Sequence, residues 1–477
     1  MFKSIEVKES ERCCGASLKP QVEESQEYRV NPSLPVTIIG AGPVGLAAAA
    51  HLTERGESFI LLESGPNVGQ HVSQWGHVRL FSPWQYNIDK AAARLLANHG
   101  WRSPNLTELP TGRELLEHYL LPLADLPEIQ SHLVLNAKVV AISKKDTDKM
   151  KSEHRDRQPF VIYAEVNGIT QMFEARAVID ASGTWGQPNS IHASGVWTTQ
   201  EKSLAPQIYY GIPDMNKTRD RYQNKRIAVI GGGHSAINTL IDLALLKEEH
   251  PDTTLIWIMR KSSVEDAYGG EANDQLEARG ELGSRIHELV RTQQIEVITP
   301  LHIQHLNQNN GRMTIYGEQN GTAKVVSEID EIIVNTGSRP DLSILSELRL
   351  DIDQTTESTR TLAPLIDPNM HSCGTVRPHG EKELRHIDKN FYIVGMKSYG
   401  RAPTFLMATG YEQVRSIAAA LSGDWSAAEK VELELPETGV CRINVKEPNK
   451  VTKEQAANSC CSPASNKRAT DSTACCD

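Results

Sequence analysis

The chain has 477 residues, with 50 Lys and Arg against 60 Asp and Glu, a formal charge of −10 that disfavours nucleic acid as a partner because a polyanion is repelled. Its length allows roughly two to four domains of about 100 to 200 residues, and 39% hydrophobic with 23% charged residues excludes disorder throughout. The longest apolar stretch, around Gly45 to Ala50, falls far short of the roughly 20 residues a membrane span needs, and the opening MFKSIEVKESERCC lacks a secretory h-region. No membrane is expected as a partner, and the expected location is the cytoplasm.

In chain order, residues 1–34 are polar and read as a mobile extension carrying Cys13 and Cys14. The run VTII at 36–39 then leads into Gly40-Ala-Gly42-Pro43-Val-Gly45 and an alanine-rich helical pattern. This is G-x-G-x-x-G in its required setting. Gly40 permits a tight turn, Gly42 lets backbone approach a pyrophosphate, and Gly45 allows the helix to pack on the strand, while the helix N-terminus offers unpaired N–H groups to phosphate. Gly56 suits the end of that helix. A second strand, FILLE, ends at Glu63, about twenty residues after Gly40, where a carboxylate accepts from a ribose diol. Gly40, Gly42, Pro43, Gly45, Glu63 and Ser64 are therefore candidate FAD-binding residues.

From Leu133 to Asp180 the runs LVLNAKVVAI, FVIYAEV and QMFEARAVID predict an antiparallel excursion with a charged loop between them. RIAVI at 226–230 repeats the turn as Gly231-Gly-Gly233-His234-Ser235-Ala236, with alanine in the third glycine's place, which the fingerprint allows. The strand after it ends at Met259 and is followed by Arg260 and Lys261 instead of an acid. Two cations there favour a 2′-phosphate and hence NADPH; a solvated basic turn is the alternative reading. Gly231, Gly233, His234, Ser235, Arg260 and Lys261 are the candidate NADPH residues.

These duplicated motifs resemble the two-dinucleotide-binding-domain flavoproteins, which include flavin-containing and Baeyer–Villiger monooxygenases, N-hydroxylases and pyridine nucleotide-disulfide reductases. The resemblance runs from about Pro35 to Leu421. Asp180-Ala-Ser-Gly183-Thr and Asn335-Thr-Gly337-Ser-Arg339-Pro are similar to the segments at the crossings between the two domains, and Phe391-Tyr-Ile-Val-Gly395 with Arg401-Ala-Pro403-Thr404 resembles the closing FAD motif. This implies that Gly183, Gly395 and Thr404 contact FAD and that Gly337 borders NADPH. The closing motif usually carries Gly-Asp, whereas here Met396 follows Gly395. The implied fold is α/β, with two Rossmann-like dinucleotide-binding domains, the second inserted into the first, and an antiparallel β excursion. Its parts are an N-terminal extension at 1–34, FAD-binding segments at 35–195 and 339–425, an NADPH-binding domain at 196–338, and a cysteine-containing tail at 426–477 that reads as mobile.

Neither 64–101 nor 231–268 contains a cysteine, which counts against a reductase with a ring-side dithiol. The segment after Glu63, with Trp75, Arg79, Phe81 and Trp84, resembles the aromatic stretch beside the flavin ring in the monooxygenase branch, so Trp75, Arg79, Phe81 and Pro403 are candidate ring neighbours. Core packing explains any one of these aromatics equally well. The chain departs from the F-x-G-x-x-x-H-x-x-x-(W/P) fingerprint of flavin-containing monooxygenases, which points to a separate branch. No catalytic side chain is assigned, because in that chemistry a C4a-(hydro)peroxide of the flavin, formed with O2, is attacked by a soft nucleophile.

Six of the eight cysteines form adjacent pairs, Cys13-Cys14, Cys460-Cys461 and Cys475-Cys476. Vicinal thiolates on a mobile tail suit soft, thiophilic ions, and the tail lacks the C-x-x-C spacing of a zinc site; incidental thiols are the alternative. Cys460, Cys461, Cys475 and Cys476 are candidate As(III) ligands. Monooxygenase body and thiol tail together resemble the flavoproteins of arsenic-resistance operons, which implies oxidation of trivalent arsenicals, arsenite or methylarsenite, to pentavalent forms. A reductase of metal or disulfide substrates, similar to mercuric reductase, and a flavoprotein sensor or soft-metal binder are the competing readings.

Overall fold

The computed structural model describes residues 31–433 apart from 275, 371–375 and 403–404. Its organising element is a five-stranded parallel sheet in the order Phe391–Ile393, Ala177–Asp180, Val36–Ile39, Phe59–Leu62, Leu133–Val134. The central strand VTII is buried at every position because both faces are covered, which explains why three of its four residues are apolar; the fourth is Thr37. On one face lie the helices Pro43–Glu54 and Met407–Leu421, where Ala47 to Ala50 are fully buried and small enough for close helix approach. On the other face Ile39, Leu62, Val178 and Phe391 pack against an antiparallel sheet of Ala137–Lys144, Phe160–Val166 and Ile169–Ala175. The expected excursion is thus present, but its ends differ from the reading above. Leu133–Val134 and Ala177–Asp180 pair in parallel within the main sheet, because the chain leaves and rejoins that sheet around the antiparallel strands.

All strands of a second parallel sheet, ordered Glu296–Ile298, Thr254–Ile258, Arg226–Ile230, Glu331–Val334, Ile208–Tyr210, fall between Asp180 and Phe391, so the second dinucleotide fold is inserted into the first. It carries its own antiparallel sheet, His302–Asn309, Arg312–Gln319 and Thr322–Ile329, which the reading above does not contain. The turns at Asn310-Gly311 and Asn320-Gly321 take positive φ at both residues, as does Asn167-Gly168 in the first antiparallel sheet. That is the type I′ signature, which asparagine and glycine tolerate best.

Where the chain crosses between the folds, the outgoing and returning segments bond to each other. Asn189 N–H donates to the Gly337 carbonyl and Arg339 N–H to the Gln187 carbonyl, both at 2.9 Å, and Thr336 Oγ1 donates to the Asn189 carbonyl at 3.0 Å. Just beyond, the fully enclosed Glu201 carboxylate accepts from Ser190 Oγ (2.6 Å), Ile191 N–H (2.9 Å) and Tyr210 OH (2.6 Å) and meets His192 Nδ1 at 3.0 Å, tying the connecting loop to the second sheet. At the other end the helix Trp425–Glu429 docks on Met407–Leu421, with Ser416 Oγ donating to the Ala428 carbonyl at 2.7 Å. The docked helix reaches Glu429, past the expected start of the tail at 426, and buries Ala428. Among the described residues no helix is long and apolar enough to cross a membrane.

Candidate functional site: two dinucleotide crevices

Register places the first crevice. Ile39 lies opposite both Leu62 and Asp180, so Gly40, Glu63 and Ala181 leave the sheet side by side at its carboxyl edge, where open α/β sheets bind ligands. Gly40 has φ +94, and a Cβ there would stand 2.8 Å from the Ala181 carbonyl oxygen. A Cβ on Gly45 would lie 1.8 Å from the Gly40 carbonyl oxygen, whereas one on Gly42 would meet nothing within 4 Å. The first and third glycines are thus required by the fold, and the second, which caps the Pro43–Glu54 helix, faces open space. Glu63, 7% exposed, accepts from Ala41 N–H through Oε2 (2.7 Å) and from Gly65 N–H through Oε1 (2.8 Å), with Ser64 Oγ at 3.3 Å. An enclosed carboxylate beside an open helix N-terminus fits a ribose diol and a pyrophosphate.

Gly183 (φ +70) is also open above the outgoing crossing, and a Cβ on Gly395 (φ +66) would stand 3.2 Å from the Val44 side chain of the first helix. Gly395 N–H donates to Gln413 Oε1 at 2.8 Å, and Gln413 Nε2 donates to Ser398 Oγ at 2.9 Å, so the closing turn is fixed to the Met407–Leu421 helix from within.

The second crevice repeats the geometry. Gly231 has φ +138 and a Cβ there would come 2.3 Å from the Asn335 carbonyl oxygen, while Gly233, at the start of the His234–Glu249 helix, again has nothing within 4 Å. Trp257, fully buried, donates Nε1–H to the Gly231 carbonyl at 2.7 Å and so sets the turn from the neighbouring strand. Asn335 donates Nδ2–H to the Gly211 carbonyl at 2.8 Å, but its buried Oδ1 has no partner among the described residues. A buried acceptor without a donor at the edge of a glycine turn fits a ligand that brings one. Lys261 lies along Gly232 and donates to the Asp266 carbonyl; Arg260 is exposed and donates to the Ala193 carbonyl at 3.2 Å. Ser235 is exposed one position into the helix, and Gly337 (φ +82) faces Asn189 at the returning crossing. Burial, reinforced by the Arg279 and Lys261 cations, lowers the His234 ring to about 4, so it is uncharged near neutral pH.

The segment after Glu63 joins the crevices. Gln74 accepts from Trp185 Nε1 at 2.6 Å, His77 donates Nε2–H to the Ile212 carbonyl at 3.0 Å, and the Phe81 ring lies 5.5 Å from that of His234, with the Arg279 guanidinium 6.0 Å away. The other aromatic and cationic side chains of this stretch make contacts of their own. Trp75 covers Gly112, whose Cβ would come 2.5 Å from the indole, Trp84 is buried in the first core, and Arg79 is exposed with Nη1–H donated to the Leu109 carbonyl at 2.6 Å. Pro403, Thr404 and the four tail cysteines Cys460, Cys461, Cys475 and Cys476 lie outside the described residues.

Comparison with known proteins agrees with this fold. The profile of the pyridine nucleotide-disulphide oxidoreductases matches residues 37–375. The chain belongs to this family. Relatives include ferredoxin–NADP reductase 2 of Bacillus cytotoxicus, 21% identical over 346 residues (72% of this chain, 84% of that protein), and ferredoxin–NADP reductase of Lactobacillus gasseri, 23% identical over 321 residues (67% and 78%). Among solved structures, bacillithiol disulfide reductase of Bacillus cereus superposes with a TM-score of 0.59 at 18% identity (82% of this chain, 99% of that one). The cadaverine monooxygenase DfoA of Erwinia amylovora gives 0.58 at 14% (84% and 97%). At such identities the superpositions establish the fold alone. The protein is an oxidoreductase with FAD and NADPH as its cofactors.

Three features of this oxidoreductase's crevices have no motif behind them: Trp257 beneath the second turn, the unpaired Asn335 Oδ1, and a buried lysine at 397. The Asn335-Thr-Gly337 segment signals a crossing but not which amide atom lacks a partner. Neither a tryptophan in an apolar strand nor a lysine after a glycine turn has a sequence signal of its own.

Proposed function

We propose that this oxidoreductase is an NADPH-driven flavin monooxygenase that oxidises a soft nucleophile, with the trivalent arsenicals arsenite and methylarsenite as its substrates and their pentavalent forms as products. The observation that sets this reading apart from a dithiol reductase is the absence of any cysteine between Cys14 and Cys373, a stretch containing both glycine turns, the bridging segment and the whole inserted fold. A dithiol relay built into either crevice has no residues to use. The bound flavin supplies hydride acceptance and activation of O2. The chain would bind and orient: Gly42 and Gly233 leave room for pyrophosphates, Glu63 would hold a ribose, Trp257 fixes the second turn, and Phe81 lies beside His234 across the two folds. The paired thiols of residues 460–476 suit capture of As(III), whose polarizable lone pair is a soft nucleophile.

A second reading, an NADPH–flavin reductase that passes electrons to a carrier protein, is favoured by the ferredoxin–NADP reductases among the relatives, and it too needs no ring-side dithiol. Arsenite or methylarsenite should accelerate NADPH and O2 consumption together and yield the pentavalent product. NADPH oxidation indifferent to arsenicals, but rapid and anaerobic with ferredoxin added, would reject the monooxygenase in favour of the carrier reductase.

A further inference from the structure

At the carboxyl edge of the first sheet, Lys397 and Asp180 form an ion pair at 2.7 Å with side chains 1% and 0% exposed. Lys397 Nζ also donates to Ser182 Oγ at 3.0 Å, and Ser182 in turn gives its hydroxyl (2.6 Å) and its N–H (3.1 Å) to Asp180 Oδ1. The place is the first crevice. Asp180 ends the strand beside Val36–Ile39, the Ser182 Cα would stand 3.1 Å from a Cβ on Gly40, and Lys397 follows Gly395, where a Cβ would stand 3.2 Å from Val44 of the first helix.

An enclosed ion pair is costly to desolvate, and an apolar pair of similar size would serve the fold as well or better. An ammonium has three donors, and among the described residues Lys397 finds two acceptors. A third N–H left without an acceptor in so closed a place is unfavourable, so a ligand that brings an anionic oxygen there is favoured.

We propose that Lys397, oriented by Asp180 and Ser182, is a positioning residue for FAD, giving its remaining N–H to an anionic oxygen of the dinucleotide. The proposal rests on the FAD assignment. Asp180 balances the charge and aims the ammonium, and Ser182 links the pair to the wall of the Gly40 turn.

The test is FAD binding to apoprotein by flavin fluorescence quenching, at low and high KCl, alongside urea unfolding of the same apoproteins. Lys397→Met alone should weaken FAD at least about tenfold and lower stability, because it strands the Asp180 carboxylate. Adding Asp180→Asn should restore the unfolding midpoint while FAD stays at least about tenfold weaker and loses part of its salt dependence. Lys397→Arg should recover part of the affinity. Wild-type FAD affinity in the double variant, or an Arg variant that folds but binds no better than the Met variant, would overturn the proposal and leave the pair a structural element. A wild-type protein that binds no FAD would instead overturn the cofactor assignment.

Discussion

Gly42 and Gly45 lie three residues apart in one turn and answer to different constraints. A side chain on Gly45 collides with backbone 1.8 Å away, whereas one on Gly42, whose φ of −84 suits any residue, enters open space, where the proposed reading puts the pyrophosphate. Gly42→Val should therefore purify as folded protein without flavin, losing only the roughly 1 kcal/mol that a poor helix cap costs. Gly45→Val should fail to fold. Full flavin absorbance in Gly42→Val would place FAD elsewhere. Histidines provide a second test at this scale. His386 is 7% exposed, accepts from Asp351 N–H at 3.2 Å and has an Nε2 without a partner among the described residues; burial lowers its ring to about 4. His234 is lowered to a similar value. An unfolded histidine titrates near 6.5, so as pH falls from there towards 4 the unfolded chain takes up protons that the folded chain refuses. The stability due to these rings is whole above that window and is lost on acidification through it. The urea midpoint should drop between pH 7 and pH 5, and His386→Phe should reduce the drop; an unchanged drop would remove His386 from the account.

Single side chains set whole elements through the turns that join them. Trp257, on the strand Thr254–Ile258, holds the Gly231 turn by one hydrogen bond, and Trp257→Phe keeps most of the packing while removing the donor. A net hydrogen bond of about 1 kcal/mol corresponds to roughly a three- to tenfold rise in KM for NADPH. FAD content should not change, since the first turn is set by its own glycines; parallel loss of both cofactors would mean that the indole supports the entire interface. Element by element, legibility in the sequence followed how much of a pattern tertiary structure disturbs. Buried parallel strands kept mostly apolar runs, broken only by Thr37 and the end residue Arg226, so VTII and RIAVI stood out together with their glycines. The antiparallel strand His302–Asn309 buries only Ile303 and Leu306, because an irregularity between Ile303 and His305 breaks its period of two. Its one clear mark was the pair of Asn-Gly turns that follow. Leu133–Val134 and Ala177–Asp180 merged with antiparallel neighbours because nothing local distinguishes a strand that changes sheet. Lys397 resembled any surface lysine, since its burial depends on Asp180, more than two hundred residues away in the chain.

At the scale of the whole molecule, the two folds are joined by bonded crossings and by the segment from Gln74 to Phe81, all upstream of Leu433. The Trp425–Glu429 helix belongs to the core through Ser416 and Ala428, so truncation after Leu433 should retain flavin and basal NADPH oxidation, whereas ending the chain at Leu421 should lower thermal stability. Flavin loss on truncation at Leu433 would make the remaining tail structural. The tail's thiols can then be examined separately. If Cys460, Cys461, Cys475 and Cys476 only capture As(III) for the flavin, replacing all four with Ser should raise KM for the arsenical and leave kcat at saturation similar, because delivery matters most when substrate is scarce. A thiol that takes part in turnover behaves otherwise, since no substrate concentration compensates for its loss. Steady-state arsenical oxidation over a wide concentration range, with anaerobic flavin reduction by NADPH as control, separates these outcomes. A collapsed kcat with normal flavin reduction would reject oxygen transfer at the flavin and point to a tail dithiol reductase, while no change in either parameter would reject the tail as an arsenical-binding element.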